Sequence, residues 1–255
     1  MAHLSIHLRI VSTFFLREMA TRFGTKPGGY IWALLEPIAY IGMMTAIFSL
    51  FARLPVIGDS YPLFFSTGYL AFNLYKGVER YVAGAVRNNK SLLSYPVVAP
   101  IDAVMARFAL EAVTSVIVCA VIFSVIVYCL PRPINIHWSP LIEAAFFAWI
   151  MAMGVAMFNI VMFAKYPLYE QIFAIISRPL LMLSGVLYVP SLLPAPANEI
   201  LLANPICQLV VLFREGFYDF IGSDGLDLPY LAETSLLMLF IGALTFTLAH
   251  GARDI

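Results

Sequence analysis

Three features of this chain predict an all-α membrane protein. Six apolar stretches approach the length of a bilayer crossing, the composition is 62% hydrophobic and only 12% charged, and lysine and arginine gather on alternate loops. A soluble domain is roughly 45–50% apolar and about 25% charged, whereas mean hydropathy here is +0.89. The 255 residues allow a single membrane domain and leave no room for a second large soluble one. No exposed basic domain is present, which argues against nucleic acid as a partner. Cys119, Cys129 and Cys207 form no C-x-x-C, and the first two lie in an apolar stretch, as buried inert thiols would.

The first element, residues 1–29, is a helix followed by a turn. Leu4, Leu8, Val11, Phe15, Met19 and Phe23 recur at spacings of three and four, so they share one face, with Arg9, Ser12, Glu18 and Arg22 off it. An apolar face with basic flanks lies in the membrane interface rather than crossing it. No A-x-A-like site follows the short apolar patch at residues 10–16, so a cleavable signal peptide is not expected. His3 and His7 are four apart and could share a metal, but no third ligand lies near them in sequence. Pro27-Gly28-Gly29 turns the chain steeply, and Tyr30 and Trp32 suit the aromatic belt where the first span begins.

Spans need about 20 mainly apolar residues. Those expected are Ile31–Phe51, 62–83, 104–130, 141–164, 168–189 and 231–249, the second being the least apolar because it contains Lys76, Glu79 and Arg80. Residues 84–103 form the loop after span two. The run at 190–230 is long yet partly apolar, with Asn204-Pro205 in its middle. Two short helices dipping into the membrane face and broken at that pair fit it, as does a surface loop with one amphipathic turn; apolar runs of about 10–14 residues are too short to span.

Basic residues fix the orientation. Arg9, Arg17, Arg22 and Lys26 precede span one. Arg87 and Lys90 lie between spans two and three, with Arg80 and Arg107 at the edges. Lys165 follows span four, and Arg253 is in the tail. The other side has Arg53, Arg132 and Arg214 against Asp59, Glu199, Glu215, Asp219, Asp224 and Asp227. Both termini are therefore expected in the cytoplasm.

The segment R-E-M-A-T-R-F-G-T-K-P-G-G-Y-I-W-A-L-L-E-P resembles the one leading into the first span of type-2 ABC exporter permeases, and among them those exporting capsular polysaccharide in Gram-negative bacteria. Arg22, Phe23, Gly24, Gly29, Tyr30, Trp32, Leu34 or Leu35, and Pro37 carry the resemblance. It extends through the six spans, the loop near Ser91-Leu92-Leu93 and the broken segment before span six. It implies a homodimer in the bacterial inner membrane that moves lipid-linked polysaccharide outward. Two copies of a separate cytoplasmic ATPase, which bind the ATP and Mg, dock beneath it. A periplasmic adaptor of the polysaccharide co-polymerase kind and an outer-membrane export protein are further partners. The loop after span two is implied to be a coupling helix, working with the interfacial helix. No G-x-x-x-x-G-K-[ST], H-E-x-x-H or G-x-S-x-G occurs, so neither a P-loop nor a catalytic site is expected in this chain. An O-antigen, teichoic acid or small-amphiphile exporter fits the same segment. An ion-coupled secondary transporter fits less well, because no repeat relates the two halves.

Candidate site residues fall into three groups. Arg87, Asn88, Asn89, Lys90, Ser91, Leu92 and Leu93 offer charge and two leucines to a docking partner, or form an ordinary solvated basic loop. Arg17, Arg22, Tyr30, Trp32 and Glu36 stand where the interfacial helix meets span one, Glu36 being either a gate group or the partner of a neighbouring arginine. Phe65, Tyr69, Phe72, Tyr75, Lys76 and Arg178 are intramembrane aromatics and charges that could line a glycan path or simply pack; Lys76 and Glu79 form an i,i+3 pair. Arg80 sits near enough to the inner end of span two to snorkel. Ala148, Ala152 and Ala156 recur every four residues and let helices approach closely.

Overall fold

The computed structural model describes residues 2–24, 29–51, 53–95, 98–218 and 225–251, and among them every regular element is a helix. The long ones are α1 (Ala2–Gly24), α2 (Ile31–Phe51), α3 (Tyr61–Ala83), α5 (Pro100–Cys129), α6 (Trp138–Lys165), α7 (Pro167–Leu183) and α10 (Leu228–Gly251). Three short ones lie between them: α4 (Lys90–Leu93), α8 (Ala197–Leu202) and α9 (Pro205–Glu215). A 3-10 turn at Arg87–Asn89 leads directly into α4. Pro27 and Gly28, the heart of the expected turn after α1, lie outside the described residues, as do Lys26, Asp219, Asp224 and Arg253. The side chains of His3, Leu4, Leu8 and Phe23 are likewise not described. Gly29 holds the left-handed φ of 43° that opens α2.

Among the described residues, four helices are long and apolar enough to cross a membrane: α2, α5, α6 and the Leu228–Ala249 part of α10. The other two expected spans fall short, each for a physical reason. α3 carries Lys76, Glu79 and Arg80, but it is the inner post of the bundle, packed by α2, α5, α6 and α9. Phe64, Phe65, Leu70, Val78 and Val82 on it are essentially sealed from solvent. A helix surrounded by protein on most sides does not need the hydropathy of one facing lipid. α7 is 17 residues long and stops at Leu183, not at residue 189. The chain reverses at Gly185, whose φ is 69°, while apolar residues continue through the break and give hydropathy nothing to detect.

The largest helix interface is α6 against α10. Ala148, Ala152 and Ala156 are all fully buried, and the closest approach is made by glycines. A Cβ on Gly154 would collide with the Met238 carbonyl, and one on Gly242 with the Gly154 carbonyl. Gly242→Val should therefore lower the melting temperature of the purified protein markedly. Overpacking ordinarily costs about 1–3 kcal/mol, and here the obstacle is backbone, which yields less than a side chain. A control at Gly42, where a Cβ meets nothing within 4 Å, should melt as wild type. Equal melting of the two variants would refute this close packing.

The 184–218 segment is more interior than a surface loop. Every residue of α9 from Ile206 to Arg214 is buried, and α9 packs on α3, α6, α8 and α10. The break falls at the expected pair. The Asn204 side chain accepts from the Ile206 amide at 3.0 Å and Pro205 takes the first helical position, the arrangement both residue types favour. Two cysteines are buried to different degrees and the third is not: Cys207 is buried and Cys119 partly so, but Cys129 is exposed at the end of α5.

Candidate functional site

Most of the charges that the sequence scatters along α1, α3, α5 and α7 converge at one end of the bundle. That basic end holds the last turns of α3 and α6, the first turns of α5 and α7, and α4. Its centre is Glu18 on α1, which is 3% exposed. The helical pattern places Glu18 off the packed face of α1, and the structure corrects this. The face that meets α5 is Ile10, Val11, Phe14 and Glu18, with Phe14 against Ala103 and Ala106; Phe14 and Glu18 are buried, whereas Ile10, Val11, Phe15 and Met19 are half-buried. The Glu18 carboxylate accepts from Arg107 Nε at 3.0 Å, Asn89 Nδ2 at 2.8 Å and the Tyr81 hydroxyl at 2.9 Å. One carboxylate thus ties α1 to α3, to α5 and to the turn before α4. Tyr81 lies between two guanidinium groups, Arg22 at 4.1 Å and Arg107 at 4.7 Å from its ring, and Arg22 in turn pairs with Glu111 of α5.

Burial works to raise the pKa of Glu18, but hydrogen bonds from Arg107 and Asn89, the Arg107 charge and the Tyr81 hydroxyl outweigh it, so the carboxyl titrates below its ordinary range. A depressed folded-state pKa stabilises the protein above the unfolded-chain value and loses that contribution as pH falls through the folded-state value. Acid titration of the folded protein should therefore show a destabilising limb beginning below about pH 4.5. Glu18→Gln should flatten it, as followed by melting temperature against pH.

The loop expected to dock a partner is split by burial. Asn89 is fully buried: besides Glu18 it donates to the Ala85 carbonyl at 2.9 Å and accepts from Arg17. It anchors the loop from inside rather than presenting it. Leu92 and Leu93 are half-buried, Leu92 against the Phe14 cluster and Leu93 against the main core. Arg87, Asn88, Lys90 and Ser91 are exposed, and Tyr95 adds a 62% exposed ring that sequence reasoning passed over. Arg87 Nη1 donates to both oxygens of Glu170 on α7 at 2.8 Å. His7 meets Asp102 at 3.0 Å, and the same carboxylate accepts from the Ala99 amide at the start of α5; no cluster of metal-ligating side chains occurs among the described residues.

Two cavities with charged residues in their walls flank α3 at this end. One, about 280 Å³, lies between α1, α2, α3 and α5 and is lined by Arg22, Glu36, Asn73, Lys76, Arg80 and Glu111. Glu36 is exposed beside the buried Pro37. The other, about 440 Å³, is lined from α3, α5, α6 and α7 and includes Lys76, Glu79, Arg80, Phe173, Ser177 and Arg178. Lys76 lines both. Its ammonium group donates to Glu79 at 2.6 Å and Ser177 at 3.1 Å and sits 4.8 Å from the Phe173 ring centre. Glu79 also accepts from Asn159 at 2.8 Å, and Asn159 accepts from Tyr169 at 3.1 Å. The i,i+3 pair expected from spacing is thus embedded in a network spanning α3, α6 and α7. Tyr30 and Trp32 are exposed near the start of α2. The four aromatics singled out on α3 lie in the core instead: Phe65, Phe72 and Tyr75 are at most 5% exposed, and Tyr69 stacks on Tyr40 of α2 at 4.1 Å. Their faces are occupied by this chain's own side chains.

What sequence reasoning missed is the hub: Glu18, Tyr81, Arg107 and Glu111. A signal was available in part, since Glu18 is the one acidic residue of α1 and lies one turn before Arg22. At the opposite end it passed over Arg214, which is 2% exposed and donates to the carbonyls of Gly185, Val186 and Tyr188 at 2.7, 2.9 and 2.9 Å.

Comparison with known proteins gives this assembly a context. The polysialic acid transport protein KpsM of Escherichia coli is 31% identical over 240 residues, covering 91% of this chain and 90% of the relative. The capsule polysaccharide export inner-membrane proteins CtrC of Neisseria meningitidis serogroup A and BexB of Haemophilus influenzae are 24% and 25% identical. Each alignment covers 94% of this chain and 90% of the relative. Residues 10–218, the stretch holding the hub, both cavities and Arg214, match the model of the ABC-2 type transporter family, and the chain belongs to that family.

Proposed function

We propose that this chain is the membrane subunit of an ATP-driven exporter that carries lipid-linked capsular polysaccharide outward across the bacterial inner membrane. The observation that carries this reading is end-to-end similarity to relatives named for polysialic acid transport and capsule polysaccharide export. ATP and Mg belong to a separate ATPase chain, present in two copies beneath two copies of this one. A periplasmic adaptor and an outer-membrane export protein continue the route.

In this reading the basic end faces the cytoplasm, supported by the excess of lysine and arginine there. Both termini lie inside, and α3 and α7 complete six spans. α3, at 23 residues, reaches about 34 Å at 1.5 Å per residue, and its charges are tolerated because they face protein and the two cavities. α1 lies along the inner interface, and α8 and α9 enter the outer face. Arg87, Asn88, Lys90, Ser91 and Tyr95, backed by Leu92 and Leu93, dock the ATPase. Asn89 and Arg17 pass its movement through Glu18 to α5. Arg22, Tyr30, Trp32 and Glu36 form the gate at the inner mouth. Lys76 and Arg178 face the path, while Phe65, Tyr69, Phe72 and Tyr75 stiffen the wall behind it.

The test is a strain lacking this gene, with polysaccharide extracted separately from surface and cytoplasm and its reducing end analysed. Polymer trapped inside and ending in a lipid anchor is expected. Unchanged surface polymer would overturn the reading.

A further inference from the structure

We propose that the cavity lined from α3, α5, α6 and α7 binds a phosphate-class anion, clamped by Arg80 and Arg178 and supplied by the headgroup of an anionic lipid of the inner leaflet. This deepens the proposed function and rests on its placement of the basic end in the membrane.

The case begins with charge. Five cations line the cavity, Lys76, Arg80, Arg87, Arg107 and Arg178, against two carboxylates, Glu79 and Glu170. Both carboxylates are engaged, Glu79 by Lys76 and Glu170 by Arg87, and Arg107 is satisfied by Glu18 from outside the cavity. Among the described residues, Arg80 and Arg178 have no carboxylate within 4.0 Å. The cavity therefore keeps two guanidinium groups without a carboxylate partner, both exposed, on two of the helices that line it.

Depth makes this significant. Arg178 lies well along α7, eleven residues after Pro167, so about 16 Å along the helix axis. A cation at such depth without a partner is costly, on the order of 2.5–3.5 kcal/mol at a bilayer centre, and it is retained where it meets water or a counter-ion. The planar guanidinium fork matches phosphate oxygens in pairs, and two forks from different helices can hold one tetrahedral anion. Further donors stand in the same wall: the Ser177 hydroxyl accepts from Lys76 and keeps its own proton to give, and Asn88 contributes an amide. The remaining wall is apolar, Phe163, Phe173 and Ala174, which suits the glycerol and first methylenes of a lipid better than a fully hydrated ion.

The experiment is native mass spectrometry of the intact permease–ATPase complex, exchanged into micelles with equal phosphatidylglycerol and phosphatidylcholine, counting retained lipids. Preferential retention of phosphatidylglycerol is expected, reduced about tenfold for each arginine changed to glutamine. It should weaken in Arg80→Lys/Arg178→Lys, which keeps both charges but loses both forks, and be unchanged in Arg53→Gln, which removes an exposed arginine outside the cavity. Melting temperature is read for each variant, so an unfolded glutamine variant is recognised and the lysine pair then carries the comparison with Arg53→Gln. A second arm adds inorganic phosphate to the complex in phosphatidylcholine alone. Saturable stabilisation there, lost in Arg80→Gln/Arg178→Gln and without any lipid preference in the first arm, keeps the anion site and assigns it to soluble phosphate. Equal retention of both lipids by wild type and the double variant, with no response to phosphate, overturns the proposal. Because the gene-loss experiment reads polymer and this one reads bound lipid, either can fail while the other stands.

Discussion

Glu18→Leu is expected to destabilise the protein by about 3–5 kcal/mol, the range for removing one member of a buried ion pair, and to abolish export. The leucine fills most of the space but accepts nothing. Arg107, 5% exposed, is left with a buried positive charge facing the Tyr81 carbonyl at 3.1 Å, the Tyr81 ring and the Asn88 amide, none of which carries a negative charge. Asn89 keeps only the Ala85 carbonyl as acceptor, and the Tyr81 hydroxyl loses the carboxylate it donates to. Glu18→Gln keeps one acceptor oxygen and nearly the same volume, so it should lie between wild type and leucine. Glu18→Leu/Arg107→Leu should recover part of the loss, because replacing a whole buried pair by apolar groups is far less damaging than orphaning one partner. A double-mutant cycle on melting temperature measures that recovery. The functional outcome separates a hinge from a mere brace. If Glu18 links the ATPase-docking loop to α5, a variant that still folds should hydrolyse ATP while surface polysaccharide disappears. Melting at the wild-type temperature, or full export from Glu18→Leu, would remove Glu18 from this role.

The reason Glu18 escaped sequence reasoning is instructive. Hydrophobic periodicity sorts residues by polarity, so a buried carboxylate is assigned to the wrong face and rotates the whole helix with it. Its partners Asn89 and Arg107 are 71 and 89 positions away, and no local spacing announces such a pairing. Lys76 and Glu79 were legible for the opposite reason, being one turn apart. The break at Asn204-Pro205 was legible because the signal is chemical and local: a capping side chain followed by a residue with no amide proton. The end of α7 was not, since Leu183 to Val189 stays apolar through the reversal and only Gly185 marks it. Aromatic content was misleading in its own way. The rings on α3 are abundant, but composition cannot say whether a ring faces a path or a neighbour, and Phe65, Phe72 and Tyr75 face neighbours.

At the end of the bundle opposite the basic one, Arg214→Met should cost about 3 kcal/mol or more, because several buried carbonyls lose charge-assisted hydrogen bonds together. The three acceptors, Gly185, Val186 and Tyr188, belong to the reversal after α7, and the guanidinium also covers the Phe64 ring with its centre 4.6 Å away. α3 makes room for this arrangement at Gly68, where a Cβ would stand 2.8 Å from both Arg214 Nη2 and the Val186 oxygen. Gly68→Ala should therefore reproduce much of the defect from the opposite side, and the two changes combined should cost less than their sum, since they break the same contact. Arg214→Lys should rescue only in part: one ammonium cannot reproduce a fork aimed at carbonyls on either side of a turn. Wild-type melting of Arg214→Met would show that the reversal is held by α9 packing alone. The distribution of acceptors also separates this arginine from Arg80 and Arg178. Arg214 directs its terminal nitrogens at the chain's own carbonyls and is sealed from solvent, so it is not available to a passing polymer. The two arginines at the basic end have no such partners, and that difference makes one a structural clamp and the others ligands for an anion.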